Sequence, residues 1–258
     1  MLLPRLLFAA TSLRAPRHLI RCSASYAATD ALYLGDTSLI ETTATVLGVE
    51  ESEKGWTAVL DATVFHPQGG GQPSDVGMLG DANVVSVFAE GRAGQGGVVY
   101  HALEAEPKFA VGDAVACRVD AEHRLRSART HSAGHLIDVA MQRCGVGLEP
   151  TKGYHWATGC YVEYDDSNAE TRMTADERAA LKPKLQAALD ALLAEDAPTD
   201  VSTDAEGTRI VTVGGLPCPC GGTHVASSGA IGAVTIEGLK KKGSGKSTAL
   251  RVSYSMSD

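Results

Sequence analysis

The stretch His66-Pro-Gln-Gly-Gly-Gly-Gln-Pro-Ser-Asp-Val-Gly77 decides how this chain is read. Three successive glycines cost backbone entropy, which either a flexible hairpin tip or close approach of backbone to a ligand would explain. Before it, residues 43–49 and 56–65 carry the β-branched, alternating pattern of strands. After it, 84–89, 97–103 and 114–119 do the same. Short strands with no long helix between them predict a small antiparallel β-barrel over 29–120, with the glycine-rich loop as its insert.

The pattern then changes period. A helix is predicted over 121–143, ended by Gly145. A second begins after Thr174, which forms a capping box with Glu177, and carries the apolar stripe Leu181, Leu185, Leu189, Leu192 and Leu193. Pro183 inside it is expected to kink the helix or start another. Strands expected at 160–164, 209–213, 230–237 and 249–254 make 121–258 an α+β layer.

Composition narrows the function classes. The 258 residues are 44% apolar and 21% charged, an ordinary globular balance. No run of about 18 apolar residues occurs, so no membrane-spanning helix is expected. The net charge of −8 argues against nucleic-acid binding through overall charge, so RNA contact would need a local basic patch. The densest basic run is Lys240-Lys-Lys242 with Lys246 and Arg251; a second, Arg118, His123, Arg124, Arg126 and Arg129, leads into the first helix. Gly245-Lys-Ser247 is not a phosphate loop, because position 240 is Lys where that motif needs Gly. Residues 1–28 hold Arg5, Arg14, Arg17 and Arg21 and no acid, the composition of an organelle transit peptide, which predicts a mitochondrial or chloroplast location.

The six cysteines do not resemble a disulfide framework, and Cys117, Cys144 and Cys160 read as small apolar side chains or idle thiols. His131 and His135 in Thr130-His-Ser-Ala-Gly-His135 project from one helix face and can grip one ion. Ser132 stands where a zinc protease would place its glutamate. Cys220-Gly-Gly-Thr-His224 offers a thiolate and an imidazole across a Gly-Gly turn. Together the pairs make a His3Cys set suited to zinc, and Cys220 is preferred to Cys218 because its spacing to His224 fits the turn. Two satisfied histidines and a buried thiol are the alternative.

The glycine-rich loop, Thr130–His135 and Cys220-Gly-Gly-Thr-His-Val225, in that order, resemble the alanyl-tRNA editing proteins, the AlaX family, free-standing relatives of the editing domain of alanyl-tRNA synthetase. The resemblance covers about 30–256, including the closing stretch Leu250-Arg-Val-Ser-Tyr254. It implies an editing domain of the threonyl/alanyl-tRNA synthetase type following the barrel. It also implies ATP-independent hydrolysis in trans of tRNA(Ala) mischarged with serine, and with glycine, serving translation fidelity. Zinc would be held by His131, His135, Cys220 and His224. Thr130 would lie beside the aminoacyl group, Gly70, Gly71 and Gln72 would help shape the pocket, and Lys152 in Lys152-Gly-Tyr-His155 would belong to a further active-site segment. No aminoacylation region is recognised, so the chain is not expected to charge tRNA. The alternatives are a zinc hydrolase of another ester and a zinc-stabilised tRNA-binding module. Neither pattern nor resemblance indicates an oligomeric state.

Overall fold

A computed structural model describes residues 25–53, 55–168, 172–244 and 247–257. Most of the leader (1–24), with Cys22, and Lys246 lie outside the described residues. The first half runs β1 (Asp30–Ala31), β2 (Glu41–Ser52), β3 (Gly55–Leu60), β4 (Ala62–Thr63), β5 (Gly77–Leu79), β6 (Ala82–Glu90), β7 (Val98–Leu103) and β8 (Ala114–Val119). Alternation drives this half: along β8, Val115, Cys117 and Val119 are buried while Ala114, Ala116 and Arg118 are exposed. Six strands pair antiparallel in the cyclic order β2-β3-β7-β6-β5-β8, with β8 returning to β2 at Glu41 opposite Arg118. Their inner faces, among them Val46, Leu60, Leu79, Val87, Val99 and Leu103, form one apolar core. The strand expected over 56–65 is broken at Asp61, whose carboxylate accepts the Thr45 N–H at 2.7 Å. Only the two-residue β4 continues it, paired in parallel with β1.

The second half runs α1 (Ala121–Arg143), β9 (Pro150–Tyr154), β10 (Cys160–Asp165), α2 (Ala175–Ala194), β11 (Asp200–Thr203), β12 (Arg209–Val213), β13 (Leu216–Pro219), β14 (Val234–Lys242) and β15 (Ala249–Met256). Asp120 caps α1 by accepting the His123 N–H, and Thr174 and Glu177 form the capping box of α2. Pro183 does not divide α2, which runs unbroken for 20 residues. That proline faces solvent, where water can take up the carbonyl it leaves unbonded. Strands β14-β15-β10-β9 form an antiparallel sheet. Its inner residues Val162, Tyr164, Val252 and Tyr254 pack with Leu136, Ile137 and Ala140 of α1 and Leu185, Leu189 and Leu192 of α2. Residues 229–231 form a single 3-10 turn, so the strand expected over 230–237 begins later, as β14. Strands β11-β12-β13 form a separate sheet that delivers Cys220 at its end. Among the described residues, no helix is long and apolar enough to cross a membrane.

The two halves are joined by buried polar contacts. Arg124 of α1 and Asp75 of the glycine-rich loop form an ion pair at 2.5 Å, with side chains 4% and 0% exposed. The same guanidinium donates to the carbonyls of Thr37 and Val64. In the second basic cluster Arg118 pairs with Glu41 and Arg126 with Glu122 at the surface, and Arg129 donates to the Ile231 carbonyl.

Inside the barrel, fully buried His101 donates from Nδ1 to the Ala58 carbonyl at 3.2 Å, and its Nε2 lies 2.8 Å from the Thr63 hydroxyl. The Thr63 oxygen already accepts the Phe65 N–H, so its proton goes to Nε2 and the ring is neutral. Burial pushes His101 from the ordinary 6.5 down to about 4. The unfolded chain then binds a proton that the folded one refuses, so this contribution to stability is intact above pH 6.5 and is lost as pH falls toward 4. Between pH 7.5 and 5 the loss from this one ring is about 2 kcal/mol. In urea unfolding at the two pH values, His101→Gln should show a pH dependence smaller than the parent's by about that amount; equal dependence would refute the assignment.

Candidate metal centre

His131 and His135 sit one turn apart in the middle of α1, where His131 meets Gln72 of the glycine-rich loop. Cys220 and His224 come from the loop after β13. One ligand atom from each of the four falls within 4.8 Å of all the others. Cys220 Sγ is 3.6 Å from His131 Nε2 and 3.3 Å from His224 Nε2. The rings of His131 and His224 have centroids 4.6 Å apart. Cys218 is not part of the group, as the turn argument expected. Gly222 of the Gly-Gly turn is required by close approach: a Cβ there would fall 2.2 Å from the His131 ring.

Hydrogen bonds orient the donors. Gln72 Oε1 accepts from His131 Nδ1 at 2.7 Å and from the Thr223 N–H at 3.0 Å, while its Nε2 donates to the Thr223 hydroxyl at 2.8 Å. That leaves the proton of His131 on Nδ1 and the lone pair of Nε2 facing the sulfur. Ser132, fully buried, accepts the Val225 N–H at 3.2 Å and lies 3.3 Å from His224 Nδ1. Arg209 holds the cysteine loop by donating to the carbonyls of Cys220 and Gly222. His135 Nε2 is shut off from solvent and has no hydrogen-bond partner.

Burial keeps all these groups uncharged. It holds His131 and His224 well below the usual imidazole range and His135 at about 4, so the rings are neutral and their lone pairs available. It also pushes the Cys220 thiol up to about 11, against a smaller opposing effect of the Gly222 N–H. A bound cation reverses that preference, since its charge favours the thiolate. Three imidazoles, one of them with an orphaned buried nitrogen, and one sulfur could hold a metal ion.

The other expected site residues divide. Gln72 joins the site behind His131 rather than in an open pocket. Gly70 lines a cleft of about 760 Å3 whose walls include Tyr33, His66, Arg92, Arg209 and Cys220. Gly71 instead ties the loop to β9, its carbonyl accepting the His155 N–H at 2.9 Å. Thr130 is buried, and its hydroxyl donates to the Arg126 carbonyl, so toward any ligand it can only accept. Lys152 is exposed on the outer face of β9, its ammonium 5.7 Å over the Tyr161 ring, away from the metal ligands. Strand alternation explains the misplacement, because in Lys152-Gly-Tyr-His155 it is His155 that turns inward.

His155 was missed as an individual residue. Its ring stacks on His131 at 4.8 Å. Tyr254 donates its hydroxyl proton to the Thr130 carbonyl at 2.8 Å and therefore accepts from His155 Nδ1 at 2.7 Å. A Cβ on Gly134 would meet the His155 ring at 2.3 Å, and one on Gly71 would meet it at 3.2 Å. A glycine inside a helix costs about 1 kcal/mol relative to alanine, so Gly134 was the available signal that a group packs against α1 at this level.

The comparisons agree with this architecture. The family model of class II (A) tRNA synthetases matches residues 24–123, and that of the threonyl and alanyl tRNA synthetase second additional domain matches 208–251. An alanine–tRNA ligase of Thermofilum pendens is 32% identical over 83% of this chain and 25% of its own length. One of Korarchaeum cryptofilum is 30% identical over 84% and 25%. The alanyl-tRNA editing protein AlaX-M of Pyrococcus horikoshii is 31% identical over 48% of this chain and 58% of its own length. The chain thus spans about a quarter of the ligases it matches. Among the described residues the fold is a mixed α/β one of two α-helices and several sheets, with an editing domain of the tRNA-synthetase type. The chain is thus similar to alanyl-tRNA editing proteins and to alanine–tRNA ligases.

Gln72→Leu removes the acceptor that sets the His131 tautomer. Loss of such a supporting hydrogen bond lowers metal affinity about 10- to 100-fold. Competition titration against a chelator should show that drop in a protein with an unchanged far-ultraviolet spectrum; undiminished affinity would mean that Gln72 does not orient the ligand.

Proposed function

We propose that this protein hydrolyses the ester of mischarged tRNA(Ala) in trans, removing serine and also glycine, with zinc held by His131, His135, Cys220 and His224. The observation that carries the reading is the convergence of those ligand atoms within 4.8 Å, with Cys220 in the wall of the 760 Å3 cleft. The family supports tRNA(Ala) as the RNA. An aminoacyl ester is already activated, so no ATP is needed. Water adds to the carbonyl carbon, the bond to the ribose oxygen breaks, and that oxygen takes the proton. Zinc bound at the cluster would act as a Lewis acid toward the ester or orient its amino acid.

The chain's own groups have separate tasks. Gln72 and Ser132 fix the imidazoles. The cleft admits the acylated end and limits water around it. Thr130 reads the serine hydroxyl by accepting its proton in a hydrogen bond, because its own proton is committed to Arg126. Reading by a hydrogen bond suits the task, since a pocket sized for alanine cannot strongly reject serine by bulk. We place the reaction in a mitochondrion or chloroplast, on the acid-free, arginine-rich composition of residues 1–28.

Incubation with Ser-tRNA(Ala) and with Ala-tRNA(Ala), alongside metal analysis of the same sample, tests the reading. Selective loss of serine, abolished by chelation and restored by zinc, is expected. Equal inactivity toward both substrates in zinc-loaded protein would end it. A separate expectation concerns selectivity. Thr130→Val should keep the metal and lower the ratio of serine to glycine removal several-fold to about tenfold, the worth of one lost hydrogen bond. An unaltered ratio would remove that role from Thr130.

A further inference from the structure

The outer face of the four-stranded sheet carries aromatic surface that neither core uses. Tyr154 and Tyr161 are cross-strand partners on β9 and β10, with ring centroids 5.3 Å apart and planes within 10°. Trp156 continues the series, stacked on Tyr154 at 5.7 Å and 14°. At the opposite end the Arg251 guanidinium carbon sits 3.7 Å from the Tyr161 centroid, held there by Glu163 at 2.6 and 2.8 Å. The result is a ladder, Arg251–Tyr161–Tyr154–Trp156, closed by a cation at one end. Its rings are all half-buried, and none belongs to either apolar core.

We propose that this ladder is an RNA-stacking platform, on which a base from the unpaired 3′ strand of the substrate adds to the exposed end at Trp156. The inference rests on the deacylase reading and names how its RNA is held.

Charge selects RNA as the occupant. Register places Lys152, Glu163, Arg251 and Lys240 in one cross-strand row beside the rings, with Lys242 opposite Ala249 further along. Against these four cations the same rows carry two acids, Glu163 paired with Arg251 and Asp165 across Ala249 from Lys242, so the face is positive on balance on a chain whose net charge is −8, and phosphates complement it. Stacked rings with interleaved cations are how single strands are held without readout of base edges. Position agrees: Trp156 follows His155, whose ring stacks on His131, so the platform borders the metal centre across the edge strand β9.

Trp56 and Trp156 are the two tryptophans, so a Trp56→Phe background makes Trp156 the sole indole reporter. Titration with an unacylated single-stranded RNA oligonucleotide should quench its emission. Trp156→Leu should weaken that binding about tenfold, read by anisotropy of the labelled oligonucleotide. It should also raise KM for Ser-tRNA(Ala) while leaving kcat within about twofold, and Trp156→Phe should restore most of the loss. Tyr154→Leu, which removes the ring behind Trp156, should give a smaller loss in the same direction and serves if the Trp156 variant does not fold. Unchanged RNA affinity in a folded Trp156→Leu or Tyr154→Leu protein would overturn the proposal, as would equal quenching by heparin, which has charge but no bases. RNA binding, read by anisotropy, that both variants weaken, in a protein that deacylates nothing, would uphold the platform and defeat the deacylase reading alone.

Discussion

One carbonyl oxygen holds the site together. Gln72 Oε1 takes the Nδ1 proton of His131 from α1 and the backbone N–H of Thr223 from the cysteine loop, while the amide nitrogen secures the Thr223 hydroxyl. Gln72 itself comes from the glycine-rich loop of the barrel and is 0% exposed. Three segments distant in sequence are therefore referenced to one buried amide, and in a low-dielectric interior each of its bonds is costly to leave unmade. The Arg124–Asp75 ion pair makes the same connection with charge. Breaking either half of such a pair leaves an uncompensated buried charge, which is why loop and helix hold a single arrangement.

The cluster this arrangement assembles is poorly suited to its own dry surroundings. His135 Nε2 is buried without a partner, the rings are held neutral, and the Cys220 thiol is held protonated. Each of these groups would be better solvated in water. Their gathering makes physical sense as preparation for a cation, whose charge stabilises the thiolate and satisfies the lone pairs together. The glycines around the cluster serve the same end, since side chains at Gly222 or Gly134 would occupy the space of the His131 or His155 ring.

Much of this was legible from pattern. The helical spacing of His131 and His135, the capping box at Thr174, the alternation of β8 and the turn that favours Cys220 over Cys218 all depend on neighbours within a few residues. The rest has a common origin. The segment Lys152-Gly-Tyr-His155 does not by itself reveal which residue turns inward, because a strand's inward parity cannot be read from one short segment. The basic cluster at 118–129 is visible as charge, but its pairing with Glu41, Asp75, Glu122 and the Ile231 carbonyl joins segments far apart in sequence. Pro183 was expected to interrupt α2 because propensity does not reveal which side of a helix meets water.

What the residues determined unaided were the local periods, the caps and the chemical identity of the metal donors, since these follow from dihedral preference and side-chain chemistry within a turn or two. Tertiary structure alone decided that Gln72 reaches Thr223, 151 residues away, that His155 lies against His131, and that the Tyr154, Trp156 and Tyr161 rings form one ladder with Arg251. Those contacts close long loops and lie between elements with separate periodicities. No local pattern encodes them, because what selects them is the combined burial of two cores and the few polar groups that must find partners where the cores meet.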